Sequence, residues 1–462
     1  MAESLGRMVE HVGGPMHAHC LLRPIELLLT VEETTVREAA AASAQEIARK
    51  LPEETFQEDY AAMVGRLAVK EWFTARISAV VLIAAAYPRL TGTQQLTEHL
   101  EFFAALCKDD TPMVRRVAAQ YLGVMVQNVV TVQGRETLQE DGKVVELLMP
   151  LYEEFASNEQ PDSVRLQTTE NCVAFGKMMT DLAPLRESEI ALLQRILPLI
   201  VATIDDRSWR VRWTAAAKFA HVIKAYDSLP SAMDSLIPAF EKLLQDPEAE
   251  VRTAATFNFA RVARCTARVP LPPQNRPPQD GDGEGAALPR VSVAERLVKR
   301  VTSLTEDDSE HVRAALARVA TELAPILGID ATITYLVPPV LLLLRDAASE
   351  VRLNVISSLS ALNEVVGVDL LSQSLLPAII DLAQDGKWRI RLAIIQHIPL
   401  LAEQLGQEFF TERLASLCVG WLGDDIATVR KAAAANLKVR CAATAVFKAI
   451  LPLYHGLCCH SP

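Results

Sequence analysis

The sequence predicts an all-α solenoid, a superhelical array of antiparallel helix pairs, and three observations support this prediction. An arginine, usually after valine or isoleucine, recurs along the chain. Five of the nine intervals between these arginines are 39 residues and a sixth is 40, a period typical of stacked helical repeats. The composition is half apolar with only 5% aromatic residues, which favours helices over sheets. The recurring arginines are Arg37, Arg76, Arg115, Arg165, Arg212, Arg252, Arg313, Arg352, Arg391 and Arg430.

Each repeat is predicted to be a helix, a short turn and a second helix. In "LSQSLLPAIIDLAQDGKWRIRLAIIQHIPLLA", residues 371–402, two apolar stretches with helical spacing flank a polar break. A proline eight residues before the turn aspartate is predicted to kink the first helix and curve the array. It is present as Pro198, Pro238, Pro338 and Pro377, and within one residue of that offset as Pro24 and Pro150.

An aspartate precedes the arginine by six residues in seven of the ten repeats. We expect it to cap the second helix, and the arginine to lie one to two turns inside that helix. The arginine would then bond the aspartate of its own or of the next repeat, while a partner contact is the alternative for any one residue. The predicted structural ladder comprises Asp109, Arg115, Asp206, Arg212, Asp246, Arg252, Asp307, Arg313, Asp346, Arg352, Asp385, Arg391, Asp424 and Arg430.

The repeats predict four segments. Residues 1–264 hold a partial repeat and about six complete ones, and residues 293–440 hold about four. Between them, residues 265–292 are rich in proline and glycine and have no helical period, which predicts a disordered insertion. Its prolines could instead form polyproline II and recruit a small domain. Residues 441–462 are predicted to be an incomplete terminal repeat.

Composition argues against several functional classes. The net charge of −11 argues against a nucleic-acid surface as the main function. No run of eighteen apolar residues predicts a membrane span, and the start of the chain does not resemble a secretory signal. The eight cysteines are not spaced as in a disulfide framework. We therefore expect reduced thiols in a protein of the cytoplasm, with the nucleus as a second compartment.

The sequence contains no set of residues typical of an enzyme active site, and no cofactor is expected. The sequence has no glycine-rich phosphate loop, no HExxH and no CxxC pair. "HGLCCH", His455 to His460, contains metal-type ligands, but its spacing matches no standard zinc site. "CCHSP" at the end only loosely matches a double-cysteine prenylation signal. No metal site is therefore predicted.

Three tryptophans are predicted to lie in turns: Trp72, Trp209 and Trp388. An exposed tryptophan beside an arginine is typical of an interface hot spot, whereas the structural alternative is that each indole packs on the next turn.

The order of these turn sequences resembles one family. "VEETTVRE", "EWFTARISA", "DDTPMVRRVAA", "SWRVRW", "EVRLNVISSL" and "WRIRLAII" are similar, in order, to the HEAT repeats of the scaffold (A) regulatory subunit of protein phosphatase 2A. The resemblance runs from about Ala2 to Val439. It implies a horseshoe-shaped HEAT-repeat α-solenoid without enzymatic activity, which holds a regulatory (B-type) subunit together with a phosphatase catalytic subunit through its intra-repeat turns.

The resemblance also implies which turn residues touch partners. Trp388 and Arg389 would face the catalytic subunit. Those expected to face a regulatory subunit are Glu32, Glu33, Trp72, Phe73, Pro112, Met113, Arg116, Trp209 and Arg210. Relative to the family, both ends of the chain are expected to fall inside a repeat, so we expect weakened binding of the catalytic subunit. A nuclear-transport or cargo-adaptor solenoid is the alternative function.

Overall fold

The structure is a computed structural model, and it describes residues 1–266, 293–367, 376–405 and 415–441. Within these ranges every regular element is a helix and no strand occurs, which confirms the all-α prediction. The chain divides into two compact units, Met1–Leu243 and Leu244–Pro462. Nearly all of the predicted insertion at 265–292 and of the predicted terminal repeat at 441–462 lies outside the described residues. Both therefore stay predictions.

We name each repeat by its recurring arginine. The second helices, which carry these arginines, are Thr34–Lys50, Phe73–Ala86, Pro112–Gln133, Asp162–Arg165 continued by Gln167–Asp181, Trp209–Ala225, Ala249–Thr266, Glu310–Leu327, Ser349–Val366, Trp388–Leu405 and Ala427–Cys441. The arginine is the fourth helical residue in every repeat, at the end of the first turn. This is the near limit of the predicted one to two turns into the helix. Since side chains lean toward a helix's N-terminus, the fourth position aims the guanidinium back at the turn.

The first helices are Leu22–Leu28, Ala61–Ala68, Thr93–Cys107, Met149–Ala156, Glu187–Thr203, Met233–Leu243, Val293–Val298 with Val301–Thr305, Val337–Leu343, Leu376–Leu382 and Ala415–Gly420. Short pieces extend several of them or join elements. These are the α-helical Ala2–Leu5, Glu53–Thr55 and Ile329–Ala331, and the 3₁₀ segments Glu10–Val12, Pro15–Leu21, Tyr87–Arg89, Arg135–Leu138, Pro230–Ala232 and Trp421–Gly423.

The recurring proline lies inside a continuous α-helix in two repeats and follows a change of helix type in two others. Pro198 and Pro238 lie inside α-helices, as predicted. Pro150 and Pro338 instead follow π-helical turns, Val144–Leu148 and Thr332–Leu336. A proline lacks the N–H that would continue the regular ladder, so the turn before it can widen. Phe56–Tyr60 is π-helical as well, without a proline.

In the unit Met1–Leu243, consecutive second helices pack on one another through small side chains. A Cβ on Gly176 would lie 1.9 Å from the Cβ of Ala225, so the two backbones approach too closely for any side chain there. Side-chain amides also join neighbouring helices: the part-buried Asn128 Nδ2 donates to the Ala84 carbonyl at 2.6 Å, and the buried Asn171 Nδ2 to the Ala119 carbonyl at 2.9 Å. These bonds satisfy polar groups that burial would otherwise leave unpaired.

The described part of the unit Leu244–Pro462 repeats this arrangement. Asn354 Nδ2 donates to the Ala314 carbonyl at 3.2 Å, and Asn436 Nδ2 to the Ile395 carbonyl at 2.5 Å. The buried Trp421 indole donates to the Ala383 carbonyl at 2.9 Å. Across the described ranges of the chain, no helix combines the length and apolarity that crossing a membrane requires.

Candidate interaction surface

The turn between the two helices is fixed by the aspartate that precedes the arginine by six residues. In all seven repeats that have it, Oδ1 accepts the backbone N–H two residues later, as Asp206 does from Ser208 at 2.7 Å. That N–H belongs to the residue just before the helix. The prediction that this aspartate caps the first helical N–H groups was therefore wrong. The second oxygen faces the preceding repeat at Asp109, Asp206, Asp307, Asp346, Asp385 and Asp424.

The arginine bonds the aspartate of the next repeat, which decides between the two possibilities left open by the sequence. Arg76 donates from Nε to Asp109 Oδ2 at 2.6 Å and from Nη2 to Oδ1 at 3.1 Å. Nη1 of the same guanidinium donates to the Lys70 carbonyl of its own turn at 2.9 Å. Each such arginine therefore holds its own turn and the following one together through charge-assisted bonds.

The same two-bond pairing joins four further pairs: Arg165–Asp206, Arg252–Asp307, Arg313–Asp346 and Arg391–Asp424, with Nε–Oδ2 distances of 2.6 to 2.7 Å. Arg352 reaches Asp385 through Nη2 alone, at 3.1 Å. We call these pairs, with Arg76–Asp109, the arginine–aspartate ladder. Arg430 bonds the carbonyls of its own turn, at Asp424 and Asp425.

Two links depart from this pattern in the unit Met1–Leu243. Arg115 meets a neutral amide, Gln160 Oε1, at 3.1 Å, because the Arg165 repeat has no aspartate at the usual position. Arg37 donates to the carbonyls of Val31 and Glu32 in its own turn, and Lys70 occupies the position of the next aspartate.

The arginine–aspartate ladder lowers the pKa of several of its aspartates. Burial would raise the pKa of Asp206, but hydrogen bonds from Arg165 and from the Ser208 N–H outweigh it, so the pKa is lowered. The balance is the same at Asp307 with Arg252 and at Asp346 with Arg313. These carboxylates are thus held ionised by the contacts that hold the turns.

The turn residues expected to face a regulatory subunit lie in the unit Met1–Leu243, at the same end of each repeat. We call them the turn surface: Glu32, Glu33, Trp72, Phe73, Pro112, Met113, Arg116, Trp209 and Arg210. Trp72 is 63% exposed, Met113 55% and Trp209 42%, whereas Phe73 is half-buried. All except Arg116 and Glu32 stand two to four residues before the recurring arginine. These residues therefore lie in or next to the turn whose backbone is bonded by the ladder arginine and aspartate.

The tryptophans are slightly displaced from the predicted turns. Trp72 is the residue just before its helix, and Trp209 and Trp388 are the first residues of theirs. Arg210 lies over the Trp209 ring at 5.8 Å from the ring centroid. In the other unit, Arg389 lies over the half-buried Trp388 ring at 4.9 Å. Both pairs present a cation and an aromatic face together.

Sequence reasoning missed Trp213 and Val124. Both are exposed, at 44% and 43%, and both lie on second helices outside the turns. Trp213 follows its recurring arginine by one residue, the position that Arg116 holds two repeats earlier. The sequence could have indicated Trp213 through this position, which it shares with Arg116.

Among the described residues, no group of three or more His, Cys, Asp or Glu side chains could hold a metal ion, and His455 to His460 lie outside that part.

Two family models match the chain. One, described as "PIK3R4-like, middle domain", matches residues 165–454, and the HEAT-repeat model matches residues 99–129. Among solved structures, Kap121p bound to Pho4p aligns with a TM-score of 0.59 and 15% identity, over 93% of this chain and 42% of that one. Yeast importin-beta (Kap95p) aligns with a TM-score of 0.56 and 14% identity, over 95% and 54%. At such identity these likenesses establish the fold alone.

Relatives with higher identity are named as phosphatase subunits. The beta isoform of the human 65 kDa A-type regulatory subunit of serine/threonine-protein phosphatase 2A is 40% identical over 338 residues, 73% of this chain and 50% of the relative. A probable phosphatase PP2A regulatory subunit of Caenorhabditis elegans is 42% identical over 39% of this chain and 28% of the relative. The A-type PP2A regulatory subunit of Schizosaccharomyces pombe is 38% identical over 48% and 35%.

This chain thus spans half or less of the length of these relatives. The ordered turns, the helical repeats and these identities agree. The chain belongs to the HEAT-repeat family of A-type scaffold subunits of protein phosphatase 2A, and its residues 165–454 belong to the family described as PIK3R4-like, middle domain.

Proposed function

We propose that this chain is a non-catalytic scaffold subunit of a protein phosphatase 2A-type serine/threonine phosphatase. A regulatory (B-type) subunit binds the turn surface of the unit Met1–Leu243, and a catalytic subunit contacts Trp388 and Arg389. The observation that carries the proposal is the exposure of Trp72, Met113 and Trp209, at 63%, 55% and 42%, in three of the turns of this unit. Protein–protein interfaces are enriched in large apolar side chains and in arginine, and such residues often carry most of the binding energy.

The ladder makes the turn surface a favourable docking site. Trp209 is the third residue after Asp206, whose carboxylate is held by Arg165 and by the Ser208 N–H. A backbone fixed in this way loses little conformational freedom when a partner binds, so more of the contact energy appears as affinity. The turns are therefore rigid supports for exposed anchors.

The relatives named as regulatory subunits support a phosphatase role. The likeness to karyopherins, at 12% to 16% identity, concerns the fold alone, so the transport-adaptor alternative is less supported. We further propose that the protein acts in the cytoplasm, with the nucleus as a second compartment, where such phosphatases would meet it.

The test is a pair of titrations of the purified full chain, in which a purified regulatory subunit is added to one sample, and a purified catalytic subunit to the other. Trp209→Ala should weaken regulatory-subunit binding by about 2 kcal/mol, roughly thirtyfold, without lowering the melting temperature. Trp388→Ala is the matched variant, and it should weaken only the binding of the catalytic subunit. Normal binding by both variants would contradict the assignment of these residues, and binding of a transport GTPase instead of either subunit would favour the alternative.

A further inference from the structure

A groove of about 490 Å³ lies on three consecutive second helices of the unit Met1–Leu243, outside the turn surface. The helices are Pro112–Gln133, Gln167–Asp181 and Trp209–Ala225. Val124 and Trp213 both line the groove and are 43% and 44% exposed. Its volume is within the range of pockets that enclose a small ligand or a few side chains.

Small residues keep the groove open. Gly123 and Ala174 line it, and a Cβ on Gly123 would lie 2.6 Å from the Cβ of Ala174. Asn171 holds the two helices at this spacing, because its Oδ1 accepts the Gly123 N–H at 3.1 Å and its Nδ2 donates to the preceding helix. The opening is therefore built by close, hydrogen-bonded packing and not by a loose contact.

The three helices that form the groove carry more basic than acidic residues, although the whole protein is acidic. The chain has a net charge of −11, yet the helices Pro112–Gln133 and Trp209–Ala225 contain basic residues and no acidic residue. Lys224 is exposed on the second of these helices, and Lys218 of the same helix lines the groove. On the middle helix, Glu170 is paired with Lys218 at 3.0 Å, Lys177 is exposed, and the exposed Asp181 ends the helix.

One polar side chain also lines the groove. Gln167 is only 9% exposed, and its side-chain amide makes no hydrogen bond to protein within the described part of the chain. The amide atoms are still accessible to solvent, so an entering peptide group or polar side chain would replace water as their partner.

We propose that this groove binds an acidic peptide segment of a partner protein, which inserts a bulky apolar side chain between Val124 and Trp213. The surrounding cations attract the acidic residues on either side of the anchor, and the Gln167 amide bonds the peptide backbone or a polar side chain. This site is separate from the turn surface, so it does not depend on the proposed phosphatase role. A basic peptide is excluded by charge, and a nucleic acid lacks an aliphatic anchor for the apolar walls.

The probe is a short fluorescein-labelled peptide in which Leu-Phe-Leu is flanked by glutamates, titrated with the full chain by fluorescence anisotropy. Saturable binding is expected, with a loss of about tenfold or more in Trp213→Ala. Trp209→Ala, in the turn surface, is the matched control and should bind the peptide normally. Val124→Glu and Val124→Lys give a second comparison: both remove the apolar contact, but only the glutamate repels the peptide, so it should bind more weakly than the lysine variant.

Three outcomes would overturn the proposal: equal binding of a peptide with lysines in place of the glutamates, equal binding of a labelled single-stranded oligonucleotide, or normal binding by Trp213→Ala. Melting temperatures of all variants show whether each is folded. Because Trp213→Ala leaves the turn surface intact, it should retain regulatory-subunit binding, which separates failure of this proposal from failure of the scaffold assignment.

Discussion

At the scale of single residues, the guanidinium group explains why arginine recurs. Arg313 donates from Nη1 to the Asp307 carbonyl of its own turn at 2.7 Å, and from Nε and Nη2 to Asp346 of the next repeat at 2.6 and 3.1 Å. Three donors in one rigid plane serve two turns at once, which the single ammonium of lysine cannot do. The sequence predicted both partners from their spacing. It could not predict which repeat the arginine reaches, because the direction depends on how the helices stack.

Asp307 and Asp308 offer an internal comparison of a ladder residue with a solvated one. Asp307 accepts two bonds from Arg252, at 2.7 and 3.0 Å, and the Ser309 N–H at 2.9 Å, whereas Asp308 is exposed. Asp307→Ala should lower the free energy of unfolding by about 1–3 kcal/mol, because it leaves a part-buried guanidinium and a backbone N–H without an acceptor. Chemical denaturation with urea measures the change.

Asp308→Ala is the control and should change the free energy of unfolding by less than about 0.5 kcal/mol. Equal losses in the two variants would mean that the ladder contributes nothing beyond a surface charge.

At the scale of helices, the repeat pattern predicted the helix pairs because apolar spacing and turn residues are local signals. The π-helical turns Val144–Leu148 and Thr332–Leu336 were not predicted. A proline signals that the regular hydrogen bonds stop, but packing of the neighbouring helices decides whether the helix kinks or widens. The close approach at Gly176 was missed for the same reason, since its partner Ala225 lies far along the chain.

Gly176→Ala tests this close approach, because two effects oppose each other there. Alanine favours a helix by about 1 kcal/mol over glycine. The new Cβ would lie 1.9 Å from the Ala225 Cβ and 2.4 Å from its Cα, and overpacking of this kind costs about 1–3 kcal/mol. We expect the packing effect to be larger and the melting temperature to fall.

Gly386→Ala is the control for this substitution, since no atom lies within 4 Å of the added Cβ. Its melting temperature should stay within about a degree or two of the unsubstituted chain. A Gly176→Ala variant that melts higher than the parent would refute the tight packing of these two helices.

At the scale of the whole molecule, a fixed period near 40 residues made the architecture predictable across the chain. The positions of most turn-surface residues follow from the sequence as well, because all except Glu32 and Arg116 stand two to four residues before a recurring arginine. The groove at Trp213 was not, since it needs three helices, and no local pattern indicates that Val124 and Trp213 line one opening. A residue's position within its own repeat can be inferred from the sequence. Which residues of different repeats meet cannot, because that depends on how the helices stack.

Acid should destabilise the molecule through several ladder aspartates together. The pKa is lowered at Asp109, Asp206, Asp307, Asp346 and Asp424. Burial by itself would raise the pKa of each carboxyl, but hydrogen bonds from the paired arginine and from a backbone N–H outweigh it. A carboxylate whose pKa is lower in the folded chain stabilises it fully above the unfolded pKa, about 3.9. That contribution is lost as the pH falls through the folded pKa.

The measurement is the free energy of unfolding of the parent and of Asp307→Asn between pH 7 and pH 3. The difference between them should be constant above about pH 5 and shrink below about pH 4. Comparing the two chains removes the effect of His99 and His397, whose pKa values are lowered by burial and which also disfavour folding in acid. A difference that stays constant down to pH 3 would show that Asp307 is not held ionised by Arg252.

The uneven ladder also sets the mechanics of the unit Met1–Leu243. When joints in series carry one load, the least stiff joint yields first. The Arg76–Asp109 and Arg165–Asp206 joints each have two charged bonds, whereas the Arg115–Gln160 joint between them has one bond to a neutral amide. A force that pulls these turns apart would therefore open the Arg115–Gln160 joint before either of the two joints beside it. The repeats on either side would move as stiff levers, with Met113 at the end of one and Trp209 on the other.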